Sequence, residues 1–158
     1  MIDPKELRRL MGQFASGVTI ITTRDIEGRP YGLTANAFTS LSLDPPLVLI
    51  CIDRKAETFS HFYASRYFVV NILTEEQQEL SGRFAKSGGF KFEGVAYETN
   101  SMGVPVLDGT LAHLECALIE THEAGDHVIH VGEVENFAVR GGRPLLFFQG
   151  RYGKLAGE

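Results

Sequence analysis

The sequence predicts a mainly β protein, a β-barrel with a few peripheral helices. About seven runs of β-branched or apolar residues indicate strands, whereas only two or three segments show a helical pattern. The helices are too few and too irregularly placed for a repeating βαβ unit. The length of 158 residues and the apolar content of 44% favour one domain over residues 1–158, without internal repeats or low-complexity segments.

The N-terminal segment has the pattern of a capped amphipathic helix. Asp3 can cap it, and Pro4 suits the first helical position. The helix is expected to end between Gly12 and Gly17. Its apolar stripe consists of Leu7, Leu10, Met11 and Phe14.

A β-hairpin is predicted after this helix. Residues 18–23 are all β-branched, residues 27–28 form a Glu-Gly turn, and residues 31–43 resume an extended run. Two prolines at 45–46 end that run. Residues 47–52 are continuously apolar, which predicts a strand that is buried on both faces or closes a barrel.

Two more helices and several strands are predicted in the remaining chain. One helix is expected over residues 56–64, and another begins at a capping box of Thr74 and Gln77 and reaches about Ala85. Residues 87–94 lack periodicity but contain three glycines and two aromatic residues, which suits a binding loop as well as a linker. The predicted strands are residues 67–72, 112–123, 127–139 and, as the last strand, 145–149.

The charge and hydropathy of the chain argue against two kinds of partner. Twenty acidic and 15 basic residues give a net charge of -5, whereas phosphate-backbone binding relies on excess Lys and Arg. No apolar run approaches the roughly 20 residues that span a bilayer, and residues 1–6 have no hydrophobic signal core. We therefore expect a cytoplasmic protein with neither a nucleic-acid nor a membrane partner.

Several catalytic patterns are absent. No Gly-x-Gly-x-x-Gly joins a strand to a helix, and residues 150–155 only mimic a Walker loop, because the glycine spacing is short and Leu155 replaces the hydroxyl. Gly-x-Ser-x-Gly is also missing. Cys51 and Cys116 have no second cysteine at zinc or redox spacing, and their strand-like surroundings predict buried free thiols.

One group of residues has the side chains of a metal site. His122, His127 and His130 lie near Glu123 and Asp126 in the sequence. His127 and His130 are an odd number of residues apart, so they fall on opposite faces of a strand. We therefore expect no metal, and a cupin-like metal barrel is the weaker enzyme hypothesis.

Two segments have the composition of a ligand site. Residues 32–49 begin with small and hydroxyl residues where a strand is normally bulky, so the backbone can approach a flat ligand closely. The alternative is an edge strand with polar outward positions. In residues 53–59, Arg54, Lys55 and Thr58 meet a predicted helix start, which suits a phosphate, although a solvated charged loop would have the same composition.

Four segments in this order resemble the flavin reductase-like family, and the resemblance covers nearly the whole chain. It is greatest to the small NAD(P)H:flavin reductase components of two-component monooxygenases, such as the partner of 4-hydroxyphenylacetate 3-monooxygenase. It implies a split-barrel, Greek-key flavin-binding fold, a homodimer, and a separate oxygenase component in aromatic catabolism. The four segments are residues 14–19, 34–46, 82–85 and 125–127.

The resemblance also implies site residues for flavin, either FMN or FAD. The isoalloxazine or ribityl portion would lie on Thr34, Ala35, Asn36 and Ala37, next to Gly32 and Leu33. The ribityl phosphate would lie near Ser40, Ile52, Asp53, Arg54, Lys55, Ala56 and Thr58, bordered by Phe59. The distal phosphate or adenine side would be covered by Arg83, Phe84, Lys86 and the loop at Gly88 and Gly89.

The same resemblance implies a nicotinamide site. His127 stands at the family's Gly-Asp-His position and is the predicted catalytic residue, as an orienting group or proton partner, with Ser16 and Tyr152 as weaker candidates for the pocket. NADH is the expected reductant and NADPH the alternative. Reduced nicotinamide can deliver hydride to flavin N5 without a protein nucleophile, which agrees with the missing triad.

Other functions remain open from sequence. A protein that binds FMN tightly could carry electrons without exchanging its flavin, and its colour would survive dialysis. A pyridoxamine-phosphate-type oxidase is compatible with the architecture alone, although the order of the four segments disfavours it.

Overall fold

A computed structural model describes residues 1–157 and has a mainly antiparallel β architecture with three short α-helices. This confirms the predicted fold class. The helices are α1 (Pro4–Met11), α2 (Phe59–Ser65) and α3 (Gln78–Phe84), the last preceded by a 3₁₀ turn at Glu75–Gln77. The strands are β1 (Ser16–Gly17), β2 (Thr19–Arg24), β3 (Pro30–Ala35), β4 (Phe38–Leu43), β5 (Pro46–Asp53), β6 (Tyr67–Ile72), β7 (Tyr97–Thr99), β8 (Pro105–Leu107), β9 (Ala112–Ala124), β10 (His127–Val139), β11 (Leu145–Phe148) and β12 (Arg151–Lys154).

Seven strands form the main sheet, in the order β3-β2-β6-β9-β10-β5-β4. β3 and β4 occupy its two edges, although only Asn36 and Ala37 connect them in the chain. A two-residue link cannot span a flat sheet of seven strands spaced about 4.8 Å apart, so the sheet must curl until its edges meet. Leu33 of β3 and Phe38 of β4 accordingly pack against the same core cluster.

Two hydrophobic clusters cover the two faces of β2. Ile21 lies in the cluster inside the curled sheet, whereas Ile20 lies in the cluster on the other face, beneath α3 and β11. Successive side chains of a strand point to opposite faces, so both faces must be covered to bury every residue from Thr19 to Thr23. The β-branched run at residues 18–23 is thus explained by burial on both sides.

The helix signals predict their helices well. Asp3 caps α1, its side chain accepting a hydrogen bond of 2.8 Å from the Lys5 amide, and Thr74 and Gln77 form a reciprocal capping box. Residues 1–157 leave the apolar stripe of α1 uncovered, since α1 has no buried residue. Among residues 1–157, no helix has the length and apolar character needed to cross a bilayer.

Several boundaries differ from the sequence prediction. The extended run at 31–43 divides at Asn36 and Ala37, where the chain passes from one sheet edge to the other. The helix predicted over 56–64 begins later, at Phe59, because residues 53–56 form a turn closed by the Ala56 amide and the Asp53 carbonyl.

The strand β5 is not buried on both faces. Val48, Ile50 and Ile52 point into the core, whereas Leu49 and Cys51 are half-buried on the other face. Burial therefore alternates along β5 although its sequence is continuously apolar. The prediction that Cys51 is a buried thiol is wrong, because its side chain is only half-buried. Cys116 is buried, and this burial raises the pKa of its thiol to about 12. Both cysteines are free.

The strand at residues 145–149 is not the last one. It ends at Phe148, and Gln149 and Gly150, both with positive φ, form a tight turn into β12. β12 has the sequence Arg-Tyr-Gly-Lys, which carries no apolar pattern, so only its pairing with β11 makes it a strand. The short β7 and β8 were also missed by the sequence prediction.

Gly132 allows the sheet to pack closely at an irregularity between β9 and β10. An added Cβ would lie 2.5 Å from Cζ of Phe68 and 3.0 Å from Cβ of Cys116. We expect Gly132→Ala to lower the free energy of unfolding by about 1–3 kcal/mol, because a fully buried ring must shift. Urea denaturation measures this loss.

Gly82→Ala is the matched control, because an added Cβ at this position of α3 meets nothing within 4 Å. Alanine should leave stability unchanged or raise it by up to about 1 kcal/mol. Equal stability of the wild type and Gly132→Ala would show that the ring of Phe68 moves freely.

Candidate functional site

A cavity of about 280 Å³ lies between β3, the loop after β5 and the C-terminal end of α3. We call it the lysine cavity, because Lys55, Lys86 and Lys91 line it. Eight of the predicted flavin residues line its wall: Leu33, Thr34, Asp53, Lys55, Ala56, Thr58, Phe84 and Lys86. Segments far apart in the sequence thus meet here, and the cations can face an anionic group.

The loop after β5 is held in shape by its own backbone and by the β9–β10 turn. The Asp53 carboxylate accepts a hydrogen bond of 2.8 Å from the Lys55 amide. The Arg54 amide donates to the Asp126 carbonyl at 3.0 Å, and the Arg54 guanidinium pairs with Glu123 at 2.5 Å. The two cations of this loop therefore have different surroundings. Lys55 lines the cavity, whereas Arg54 is directed toward Glu123.

The hydroxyl groups of Thr34 and Thr58 fasten the cavity wall. Oγ1 of Thr34 donates to the Ser81 carbonyl at 2.6 Å, which ties β3 to α3. Oγ1 of Thr58, in a buried residue, lies 3.5 Å from the Gly32 carbonyl. Gly32 lets α3 lie close to β3, since an added Cβ would lie 2.9 Å from Cε1 of Phe84 in α3.

Lys91 is a site residue that the sequence prediction missed. Its side chain is only 11% exposed, and its Nζ donates to the carbonyls of Phe84 at 3.3 Å and Gly32 at 3.5 Å. Glu57 pairs with the same Nζ at 3.6 Å and accepts from the Gly88 amide at 3.0 Å. The aperiodic loop at 87–94 was a signal for binding, but nothing in it showed that Lys91 folds back under β3.

Arg83 holds the same loop from α3. Its guanidinium donates to the carbonyls of Glu93 at 2.8 Å and Lys91 at 3.4 Å. It lines a surface groove next to the lysine cavity, together with Lys86 and Phe90. Arg83 therefore shapes the loop from outside, while Lys86 reaches both the groove and the cavity.

His127 lies directly across from Asp53 in the pairing of β10 with β5. Its Nδ1 is 2.7 Å from Oδ1 of Asp126, and the hydrogen bond and charge of His127 lower the pKa of the Asp126 carboxyl. The aspartate favours the tautomer with a proton on Nδ1, so Nε2 can accept a hydrogen bond. The side chain is partly exposed, at the same end of the barrel as the Asp53 loop.

The histidines of the candidate metal group have separate partners. His122 pairs with Glu120 at 3.0 Å, whereas His130 is wholly buried and its Nδ1 lies 2.8 Å from Oγ1 of Thr121. Burial, with a smaller contribution from Arg66, lowers the pKa of His130 to about 4. Within residues 1–157, no three His, Cys, Asp or Glu side chains form a group that could hold a metal.

The remaining predicted residues divide between surface and core. Asn36, Ala37 and Ser40 are exposed around the β3–β4 link. Ile52 is fully buried, and the half-buried Ala35 and Phe59 pack against the barrel core. The side chains of Ile52, Ala35 and Phe59 therefore contribute to folding.

Ser16 and Tyr152 lie on the smaller sheet. Ser16 and Tyr152 both pair with Phe147, from opposite sides in the strand order β1-β11-β12. The Tyr152 hydroxyl is 2.7 Å from Oγ of Ser81, the residue whose carbonyl binds Thr34. Oγ of Ser16 is buried and has no hydrogen-bond partner within the described part of the chain.

Residues 11–156 match the model of the flavin reductase like domain. The chain belongs to the flavin reductase-like family. This confirms the resemblance that the four sequence segments carry. Two relatives and one solved structure extend the match over nearly the whole chain.

The relatives of this flavin reductase-like domain are reductases, two of them named for different flavins. The reductase subunit of a flavin-dependent monooxygenase from Rhodococcus jostii is 43% identical over 152 residues, covering 96% of this chain and 77% of that protein. An FMN reductase (NADH) from Agrobacterium fabrum is 41% identical over 154 residues, covering 98% and 87%. The NADH:FAD oxidoreductase of Streptomyces globisporus, solved with NAD and FAD fragments, has a TM-score of 0.91 at 38% identity and covers 99% and 96%.

The separation of Lys55 from Arg54 gives a test of the lysine cavity in this flavin reductase-like domain. If the cavity takes a flavin phosphate, Lys55→Ala should weaken FMN binding by about 1.5–3 kcal/mol and leave riboflavin binding unchanged. Fluorescence titration with the two flavins measures both. Arg54→Ala is the matched control and should cost FMN much less, because its guanidinium is paired with Glu123. Equal losses for FMN and riboflavin in Lys55→Ala would contradict a phosphate in this cavity.

Proposed function

We propose that this chain is an NADH-dependent flavin reductase that supplies reduced FMN or FAD to a separate monooxygenase. The meeting of eight predicted flavin residues at one lysine-lined cavity is the observation that carries the proposal. Family membership supports the reaction class, an NAD(P)H:flavin oxidoreductase. NADPH is the alternative reductant.

The residues of the lysine cavity and of the β3–β4 link fit a flavin phosphate and a flat ring. Lys55 and Lys86 line a cavity beside β3, and the small exposed residues Asn36 and Ala37 continue the strand beyond it. A flavin phosphate would pair with the two ammonium groups. The backbone N–H groups around Asn36 and Ala37 would face the ring edge and stabilise negative charge that develops there.

When bound, the flavin supplies an acceptor for the hydride of reduced nicotinamide. The protein's part is to hold both rings in register, and such orientation can supply several kcal/mol of the barrier. The Asp126 carboxylate fixes the ring of His127, so that Nε2 can bind the nicotinamide amide. We assign His127 the role of positioning the nicotinamide. We do not assign it as an obligatory base in the chemical step.

The proposed partners follow from the reaction. Reduced flavin would pass to an oxygenase component, and an oxygenase acting on an aromatic substrate of the 4-hydroxyphenylacetate kind is our hypothesis for it. A homodimer is proposed as the working form, in the cytoplasm where NADH is available.

Steady-state oxidation of NADH with FMN, FAD and riboflavin in turn tests the proposed function. We expect many turnovers of free flavin per protein, without any oxygenase present. Absorbance after extensive dialysis is measured in parallel. Retained yellow colour with no NADH oxidation would show a tight FMN electron carrier and overturn the proposal.

The second test concerns His127. We expect His127→Ala to raise the KM for NADH and to lower kcat/KM roughly tenfold, because one neutral hydrogen bond is worth about 0.5–1.5 kcal/mol. Flavin affinity should be unchanged. Stopped-flow reduction of prebound flavin across pH measures binding and the chemical step separately.

His122→Ala is the control for this experiment, since His122 is exposed and pairs with Glu120 of its own strand, β9. A loss of the chemical step on the order of a hundredfold to ten-thousandfold at saturating NADH would instead assign proton transfer to His127. Wild-type behaviour of the variant would remove His127 from the site.

A further inference from the structure

A pair of hydroxyl groups joins the smaller sheet to α3. Oη of Tyr152, in β12, lies 2.7 Å from Oγ of Ser81, in α3. Ser81 is fully buried, and within residues 1–157 the Tyr152 hydroxyl is the only hydrogen-bond partner of its side chain. Removing the tyrosine hydroxyl would therefore leave a buried polar atom without a partner, which is unfavourable.

The backbone carbonyl of Ser81 accepts two hydrogen bonds. One comes from the Ala85 amide at 3.1 Å and closes the last turn of α3. The other comes from Oγ1 of Thr34 at 2.6 Å and ties β3 to the helix. The position of Ser81 therefore fixes both the C-terminal end of α3 and its distance from β3.

Both segments that meet at Ser81 line the lysine cavity. Thr34 belongs to the wall on β3, whereas Phe84, Ala85 and Lys86 form the wall at the end of α3. Lys86 directly follows Ala85, the residue whose amide binds the Ser81 carbonyl. A shift of Ser81 would consequently move the Lys86 ammonium group relative to β3.

Tyr152 is itself held in place by the smaller sheet. It pairs with Phe147 of β11, and the two rings pack edge to face with their centroids 5.5 Å apart. The tyrosine ring also packs against the hydrophobic cluster beneath α3, which includes Leu145 and Phe84. The Tyr152 hydroxyl thus holds Ser81 from a fixed position outside the seven-stranded sheet.

We infer that Tyr152 is a positioning residue for the flavin phosphate and acts through Ser81 on α3 and β3. The resemblance made Tyr152 a candidate for the nicotinamide pocket, but its hydroxyl is directed to Ser81. The inference rests on the proposed function, because it takes the flavin phosphate to lie in the lysine cavity. Tyr152 contacts neither the flavin nor the nicotinamide, and it keeps Lys86 where the ammonium group can pair with phosphate.

Binding of FMN and riboflavin to purified Tyr152→Phe, measured by flavin fluorescence without NADH, tests this inference. We expect FMN binding to weaken about threefold to tenfold, the usual effect of losing one hydrogen bond. Riboflavin binding should keep its wild-type value, because riboflavin has no phosphate. The KM for NADH, measured at saturating riboflavin, should also be unchanged. A general loss of packing would instead weaken both flavins equally.

Ser81→Ala removes the other hydroxyl of the pair and should weaken FMN binding by the same factor. The double variant Ser81→Ala/Tyr152→Phe should lose no more than either single variant, because the two hydroxyls act through one contact. Tyr97→Phe is the matched control, since Tyr97 packs against the same hydrophobic cluster but takes no part in the contact with Ser81. Its flavin binding should be that of the wild type. Urea denaturation shows whether each variant is folded.

The outcomes separate the role of Tyr152 from the proposed function. Additive losses in the double variant, equal weakening of FMN and riboflavin, or unchanged FMN binding in Tyr152→Phe would overturn the inference. A raised KM for NADH with unchanged FMN binding would assign Tyr152 to the nicotinamide pocket and would overturn it as well. Selective loss of FMN binding in Tyr152→Phe, with no NADH oxidation by the wild type, would contradict the proposed function alone.

Discussion

The structure depends on one constraint: two strands joined by two residues must lie at opposite edges of a seven-stranded sheet. Asn36 and Ala37 make that link, and the sheet can satisfy it only by curling around the core shared by Leu33 and Phe38. The link is consequently exposed where the edges approach. Small side chains there leave the backbone accessible, so the element that closes the barrel also offers a surface to a flat ligand.

A largely buried ammonium group organises the ligand side of this barrel. Lys91 binds two backbone carbonyls, of Gly32 and Phe84, and pairs with Glu57. Burying a charge is costly unless the charge is paired and hydrogen-bonded, so the ammonium group needs both the ion pair and the hydrogen bonds. They hold the 87–94 loop against β3 and thereby form one wall of the lysine cavity.

Folding and binding use different atoms of the same segments. The hydroxyls of Thr34 and Thr58 are directed to backbone carbonyls, and Ile52 lies in the core. These segments present their backbone groups and the ammonium groups of Lys55 and Lys86 to a ligand. A residue within a binding segment is therefore not automatically a contact residue.

The sequence by itself determined the mainly β class, the capped starts of α1 and of the 3₁₀ turn that leads into α3, and the family, because caps, β-branched runs and ordered segments are local patterns. It did not show that Arg54 pairs with Glu123 while Lys55 lines a cavity, that β5 alternates, or that β12 exists. The sequence also did not show that Lys91 is a site residue. Apart from β12, which only its pairing with the adjacent β11 makes a strand, each of these depends on a partner distant in the chain. Only the tertiary structure decides which distant groups meet, since pairing and burial are properties of the closed barrel rather than of any one segment.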